Sequence, residues 1–246
     1  MNRVLIWDLP TRLFHALLAL GFLGAFLIAN VAEHGPAFPY HMILGLVLAF
    51  AVLLRLVWGL VGSRHARFST FPVAPRTVLG YLRDAVRGRA ARHAGHNPGA
   101  ASAALAFFAL ILGLAVTGLL MGQGVEAAED LHGLLAWAMI VVIVGHLAGL
   151  ALHTRNHKEP IALSMVDGKK LAGAYDAIPS ARPVAALVFV LLVGGWAGAL
   201  LSGFDPATER ITLPVVGATL QLGEGEEHGE HEGREGREGH RDHDDD

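Results

Sequence analysis

Most of this chain is written in long apolar blocks separated by short polar stretches. Within a block the hydrophobic positions run on without the three-to-four-residue recurrence of a helix that keeps one wet face, so each block reads as apolar all round. About 20 such residues in a helix cross the roughly 30 Å hydrocarbon core of a bilayer. Five blocks are long enough: about 11–32, 40–62, 101–122, 131–153 and 184–202. The expected fold is an all-α integral membrane protein with five transmembrane helices. The first block is longer than the apolar region of a cleaved signal, and no good A-x-A site follows it, so it reads as a retained span.

The stretches between blocks carry their own signals. Asp8 and Pro10 sit where a helix cap and an early helical proline belong. Residues 63–100 form the longest connection, punctuated by Pro72, Pro75 and Pro98, and RTVLGYLRDAVRGRAARH within it reads as a short basic amphipathic helix on the membrane surface. Attraction to anionic lipid accounts for that charge without nucleic acid as a partner. His65, His93 and His96 fall in this polar connection and read as solvated. IALSMVDGKK reads as one or two helical turns ended by Gly168. Gly118 with Gly122, and Gly194 with Gly198, have the spacing that lets membrane helices approach closely. The fifth span therefore packs on the flank of the others or mediates a homodimer.

At 246 residues and 53% hydrophobic content, the chain is too apolar for an ordinary soluble domain and has no room for a second large one. It has no cysteine, which excludes covalent haem attachment through C-x-x-C-H, thiolate-held iron–sulfur clusters and disulfides. Any cofactor is held by histidine or carried by a partner. Residues 224–246 are acidic, with no apolar side chain, and are expected to be disordered. His228 with His231, and His240 with His243, are spaced as weak metal ligands there, beside the simpler reading of a solvating tail.

Charge sets the orientation. Arg3 and Arg12 precede the first span, seven arginines from Arg64 to Arg92 face one acid, Asp84, in the second loop, and Arg155, Lys158, Lys169, Lys170 and Arg182 follow the fourth span. The first and third loops, EHGPAFPY and GQGVEAAED, contain no Lys or Arg. By the positive-inside rule the N-terminus and the basic loops are cytoplasmic, and the C-terminus lies outside after the fifth span of a multi-pass membrane protein.

The fourth span supplies the candidate chemistry. His132 and His146 lie fourteen residues apart, which returns to within about 40° of the same helix face and separates them by about 21 Å along the axis. Ionisable side chains inside a membrane normally face the bundle and mark function. Two on one face, one near each leaflet, point to metal or haem ligation. His15 lies in the first span at the depth of His146, and His41 opens the second at the depth of His132, so depth alone suggests the pairs His15–His146 and His41–His132. The plainer reading of His15 and His41 is an interfacial histidine reaching toward headgroups. Arg55 shares the His41 face fourteen residues on. Its guanidinium suits a haem propionate, and it is also near enough to the cytoplasmic headgroups to snorkel.

Taken together, Trp7, Asp8, Pro10, Thr11, Arg12 and His15, then His41, Arg55, Trp58 and Gly59, then His132 and His146, form a pattern that resembles the prokaryotic cytochrome b561 family and the b-type cytochrome subunit of nickel-iron hydrogenases. Met165, Gly168, Lys169 and Lys170 resemble the stretch after the fourth helix in the hydrogenase-type members. The likeness covers about residues 3–175. It implies a four-helix bundle holding two non-covalent haem b groups, each between two histidines, that passes electrons between the membrane faces. By position, His15, His41, His132 and His146 match the family's ligands. Quinones, superoxide, hydrogenase and periplasmic cytochromes all serve as electron partners in the family. On this reading residues 1–175 are the di-haem domain, 176–203 the fifth transmembrane helix and 204–246 an acidic, His-rich external tail.

A haem iron with two axial imidazoles has no free position for substrate and suits electron transfer. Each ligating ring needs its other nitrogen hydrogen-bonded, by a backbone carbonyl or a Ser/Thr hydroxyl, to fix the tautomer. The spans hold no carboxylate pair, nucleophile or phosphate loop, which argues against hydrolysis and group transfer. The rival readings are a divalent metal-ion transporter or sensor using the intramembrane and tail histidines, and a non-catalytic anchor for a peripheral redox subunit. Against transport, the spans lack the Asp or Glu that helps conduct a hydrated cation.

Overall fold

The computed structural model describes residues 2–31, 35–214 and 217–221. All five expected spans are helices: α1 (Leu9–Val31), α2 (Pro39–Val61), α4 (Pro98–Met121), α5 (Ala127–His157) and α7 (Pro183–Ser202). Their apolar sequence leaves no solvent to satisfy the backbone, and continuous helices satisfy it internally. Proline in the first turn starts α2, α4 and α7, where its missing N–H costs no hydrogen bond. Side-chain caps start α1 and α4: Asp8 Oδ1 accepts from the Thr11 N–H at 2.9 Å, and Asn97 Oδ1 from the Ala100 N–H at 2.8 Å. With 31 residues α5 is about 46 Å long, so it outruns the hydrocarbon core. The short helices α3 (Pro75–Val86) and α6 (Ser164–Asp167) lie between spans.

Packing is uneven in a way that matters for the site. α4 runs along α5, α1 along α2, α2 also meets α4, and α7 lies against α1 and α2. By contrast, α5 makes little close contact with α1 or α2 and is held mainly by α4. A slot therefore separates α5 from the α1–α2 pair. Glycine tightens the packed pairs: a Cβ on Gly21 of α1 would lie 2.7 Å from Leu48 of α2. The Gly194 and Gly198 spacing in α7 meets no neighbour within 4 Å among the described residues, so it is not used inside the chain.

At the basic end of the bundle, strand β1 (Asn2–Leu5) pairs antiparallel with β2 (Lys169–Ala172). Ile6 and Trp7 donate their backbone N–H groups to the Gly168 carbonyl at 2.8 and 3.0 Å, and Leu9 donates to Ala181 at 2.9 Å. Gly168 ends α6, as its sequence suggests, with φ +78°, and a Cβ there would press 2.8 Å from the Trp7 carbonyl. The basic surface helix forms as α3, shorter than the segment read for it, with Leu79, Leu82 and Val86 exposed.

At the far end, the described residues after Gly203 are 204–214 and 217–221. They form a three-stranded antiparallel sheet, β3 (Phe204–Asp205), β4 (Arg210–Thr212) and β5 (Thr219–Gln221). Ile211 and Leu220, alternating inward, are buried in the same core as Leu48 and Val52. The acidic stretch 224–246, with His228, His231, His240 and His243, lies outside the described residues.

Candidate cofactor site

Two of the four singled-out histidines meet across the slot near the far end. His41, in the first turn of α2, and His132, near the start of α5, have ring centres 6.1 Å apart and planes at 67°. His41 Nδ1 lies 2.8 Å from the Ala25 carbonyl oxygen of α1. His132 Nδ1 lies 2.8 Å from Thr117 Oγ1 of α4. The Thr117 hydroxyl already reaches the Gly113 carbonyl one turn back, at 2.9 Å, so its lone pair is free to accept an Nδ1–H. Both rings are thus fixed through Nδ1 and keep Nε2 for another partner, the arrangement that orients metal-bound histidines. A metal–nitrogen bond of about 2.0–2.1 Å on each side, plus the distance from nitrogen to ring centre, separates two such rings by about 6 Å. The residues present fit an iron held between them.

His15 of α1 and His146 of α5 lie toward the basic end, near enough for their charges to interact. His15 is accessible to solvent yet surrounded by protein atoms, as expected for a side chain lining an open cleft. Phe107 of α4 lies edge-on to the His146 ring at 5.8 Å. Of the four histidines of α5, His132 meets His41 of α2 and His146 lies one further level toward the basic end.

Arg55 does not reach for headgroups. It is 3% exposed, donates Nη2–H to the Ala66 carbonyl at 3.0 Å, and lies 5.5 and 5.7 Å from the ring centres of Phe68 and Phe108. Its Nη1 is buried without a hydrogen-bond partner among the described residues. The loop after α2 folds back over the guanidinium, which snorkelling would have left open. Gly59 permits this, because a Cβ there would lie 2.2 Å from the Phe68 ring. Asp8, 1% exposed, joins α1 to α2 by accepting from Trp58 Nε1 at 3.0 Å.

His65 and His96 overturn the expectation that they are solvated. His65 is 6% exposed, and its Nε2 lies 2.7 Å from the Asp176 carbonyl oxygen. His96 packs between Trp7 and Phe71, at 4.7 and 4.4 Å between ring centres, and its Nδ1 is buried without a partner among the described residues. Burial first, then the charges of Arg55 and Lys170, push the His96 imidazole down to about 3. Burial likewise lowers His65, and takes Lys170 to about 8 against the opposing pull of Glu159. Lys170 Nζ–H groups are tied to the carbonyls of His93 and Gly95 at 2.7 and 2.9 Å. The pairing of β1 with β2, absent from the sequence reading, is what folds this polar cluster inward.

Among the described residues no group of three His, Asp or Glu side chains is placed to hold a bare metal ion. The family model for prokaryotic cytochrome b561 matches residues 6–168, a span containing all four histidines and Arg55. The chain belongs to the prokaryotic cytochrome b561 family. No curated protein and no solved structure matches it. As a cytochrome b561 it is a membrane b-type cytochrome of electron transfer and binds haem b. The family's motif residues have physical roles here: Asp8 caps α1 and holds Trp58, Trp7 Nε1 donates to Ser164 Oγ at 3.2 Å, and Arg12 donates to the Met165 and Val166 carbonyls. Thr117 and Ala25 were not singled out by sequence. Thr117 carried a signal, as a lone hydroxyl late in an otherwise apolar span, whereas a backbone carbonyl such as Ala25's carries none.

Proposed function

We propose that this cytochrome carries electrons across the bacterial inner membrane through two haem b groups, one between His41 and His132 and one between His15 and His146. The observation that carries the reading is the His41–His132 pair, 6.1 Å between ring centres with both Nδ1 atoms engaged. Haem b, held by these histidine pairs, would supply one-electron chemistry. The protein's part is to hold and tune. Ala25 and Thr117 fix the tautomers of the outer pair, α5 sets the spacing of the two sites, and the unsatisfied Nη1 of Arg55 offers a charge-assisted bond to a propionate of the inner haem.

The arginine-rich connections support a cytoplasmic basic end, with His15 and His146, and a periplasmic β3–β5 sheet, by the positive-inside rule. Electrons then pass between a quinone pool or other redox partner and a periplasmic or hydrogenase-type protein. Purified protein with a reduced-minus-oxidised b-type spectrum and two haems per chain by pyridine haemochrome is the expected result. A colourless protein that folds, or one holding a single haem, contradicts it.

A further inference from the structure

The surface helix α3 is fastened to the bundle along one side. The Asn156 side chain, next to last in α5, donates Nδ2–H to the Ala85 carbonyl at 2.9 Å, and a Cβ on Gly99, second residue of α4, would lie 3.5 Å from the Tyr81 ring. Asn156 stands about 4.5 Å past the apolar run of α5, and Gly99 just ahead of that of α4. Both ties therefore hold α3 at the depth where hydrocarbon gives way to headgroups.

At about 100° per residue, the positions of α3 fall on four sides. Val78, Tyr81 and Ala85 share the half-buried side that meets the bundle. About 100° round from it, Leu79, Leu82 and Val86 form an apolar stripe, 68%, 47% and 76% exposed. Opposite the packed side stand Arg76, Arg83 and Arg87, all exposed. Thr77 and Asp84 occupy the fourth side, across from the stripe. A helix lying in the membrane surface with protein along one flank needs this order: apolar side into the acyl boundary, polar side to water, and cations outward at the level of the phosphates.

The charge is left for a partner outside the chain. Asp84 is the one carboxylate on α3, and its Oδ1 lies 3.5 Å from Arg83 Nε in an exposed pair, a contact that contributes little in water. Arg76 and Arg87 have no acidic partner among the described residues. A soluble acidic protein could match the arginines, but the apolar stripe beside them lies at the bilayer boundary, which favours lipid.

We propose that α3 is an anionic-phospholipid site: the phosphates of acidic lipids sit against Arg76, Arg83 and Arg87, and their acyl chains against Leu79, Leu82 and Val86. A guanidinium pairs with phosphate oxygens through parallel charge-assisted hydrogen bonds. Each cation near a negative membrane surface adds roughly a fivefold preference. The site stands on residues separate from the histidine pairs, so it holds whatever the haem count proves to be.

The chain has no cysteine, so a thiol introduced on α3 takes a label alone. The full chain carrying Leu79→Cys or Thr77→Cys, labelled with a polarity-sensitive fluorophore, is reconstituted in vesicles of equal parts phosphatidylglycerol and phosphatidylcholine, with bromine on the acyl chains of one lipid or the other. The label at residue 79 should be quenched by both, several-fold more by brominated phosphatidylglycerol, and the label at residue 77 by neither. Adding Arg76→Gln, Arg83→Gln and Arg87→Gln to the Leu79→Cys chain should make the two lipids equal quenchers. Absence of quenching at residue 79 overturns the proposal and leaves the face to a soluble acidic partner. Equal quenching without the arginine changes, or a preference that survives them, overturns it as well. If the triple variant does not fold, salt decides. At about 1 M the screening length falls to about 3 Å, which should bring the preference close to parity, and a preference that persists overturns the proposal.

Discussion

The Thr117 hydroxyl lies 2.8 Å from Nδ1 of His132, on the neighbouring helix. That contact decides which nitrogen of His132 faces the slot, and it depends on Thr117 spending its own proton on the Gly113 carbonyl. Replacing Thr117 by Val keeps the shape and removes the acceptor. Loss of such a supporting bond typically weakens metal binding by about 10–100-fold. Thr117→Val should therefore shed the outer haem during detergent dilution while keeping the inner one, and Thr117→Ser should restore it, as measured by haem per chain.

On the proposed pairing, the buried positive charge of Arg55 serves the inner site. A cation nearby favours the reduced, more negative haem, so Arg55→Gln should lower the inner midpoint potential, on the order of 50 mV for a partly screened charge. The outer wave should stay where it is. An unchanged inner potential would show that the guanidinium serves only to fasten Ala66 and stack on Phe68 and Phe108.

Gly59 lets Phe68 lie directly on α2. Gly59→Ala would force the ring and its loop outward, uncovering Arg55, at a cost of about 1–3 kcal/mol for overpacking. The expected result is a lower melting temperature together with faster proteolysis within residues 63–71. Gly45, with no neighbour within 4 Å among the described residues, is the matched control, and Gly45→Ala should change neither.

The neutral, buried His96 makes stability depend on pH. Unfolding frees the ring to bind a proton below its ordinary value of 6.5, whereas in the fold it resists protonation down to about 3. The unfolded chain therefore binds more protons between those limits, so stability is full above about pH 7 and declines as pH falls through the window. Thermal unfolding of the oxidised protein in detergent should drop by about 5 °C between pH 7 and pH 5, and His96→Phe should flatten that part of the curve.

The membrane helices were legible because an unbroken apolar run admits one backbone solution in lipid, and their ends moved by at most four residues, at α5. The depths of His132 and His146 followed from helical geometry, and the meeting of His41 with His132 follows from two short-range facts, Pro39 starting one helix and the far-end loop starting the other. The ends of the bundle were harder to read. Residues 2–5 and 169–172 are too short and too far apart in sequence for alternation to announce a pair of strands, and the burial of His65 and His96 depends on that pairing. Arg55 was ambiguous for the same reason, since whether it snorkels depends on a loop that closes over it through Gly59 and Phe68.

The most direct measurement is haem content with redox titration of four single variants: His15→Ala, His41→Ala, His132→Ala and His146→Ala. The pairing predicts that His41→Ala and His132→Ala each abolish the same midpoint wave, and that His15→Ala and His146→Ala each abolish the other, with the His146 variant also weakening the outer site through their shared helix. A variant that keeps both haems, or two members of a proposed pair that remove different waves, would contradict the account.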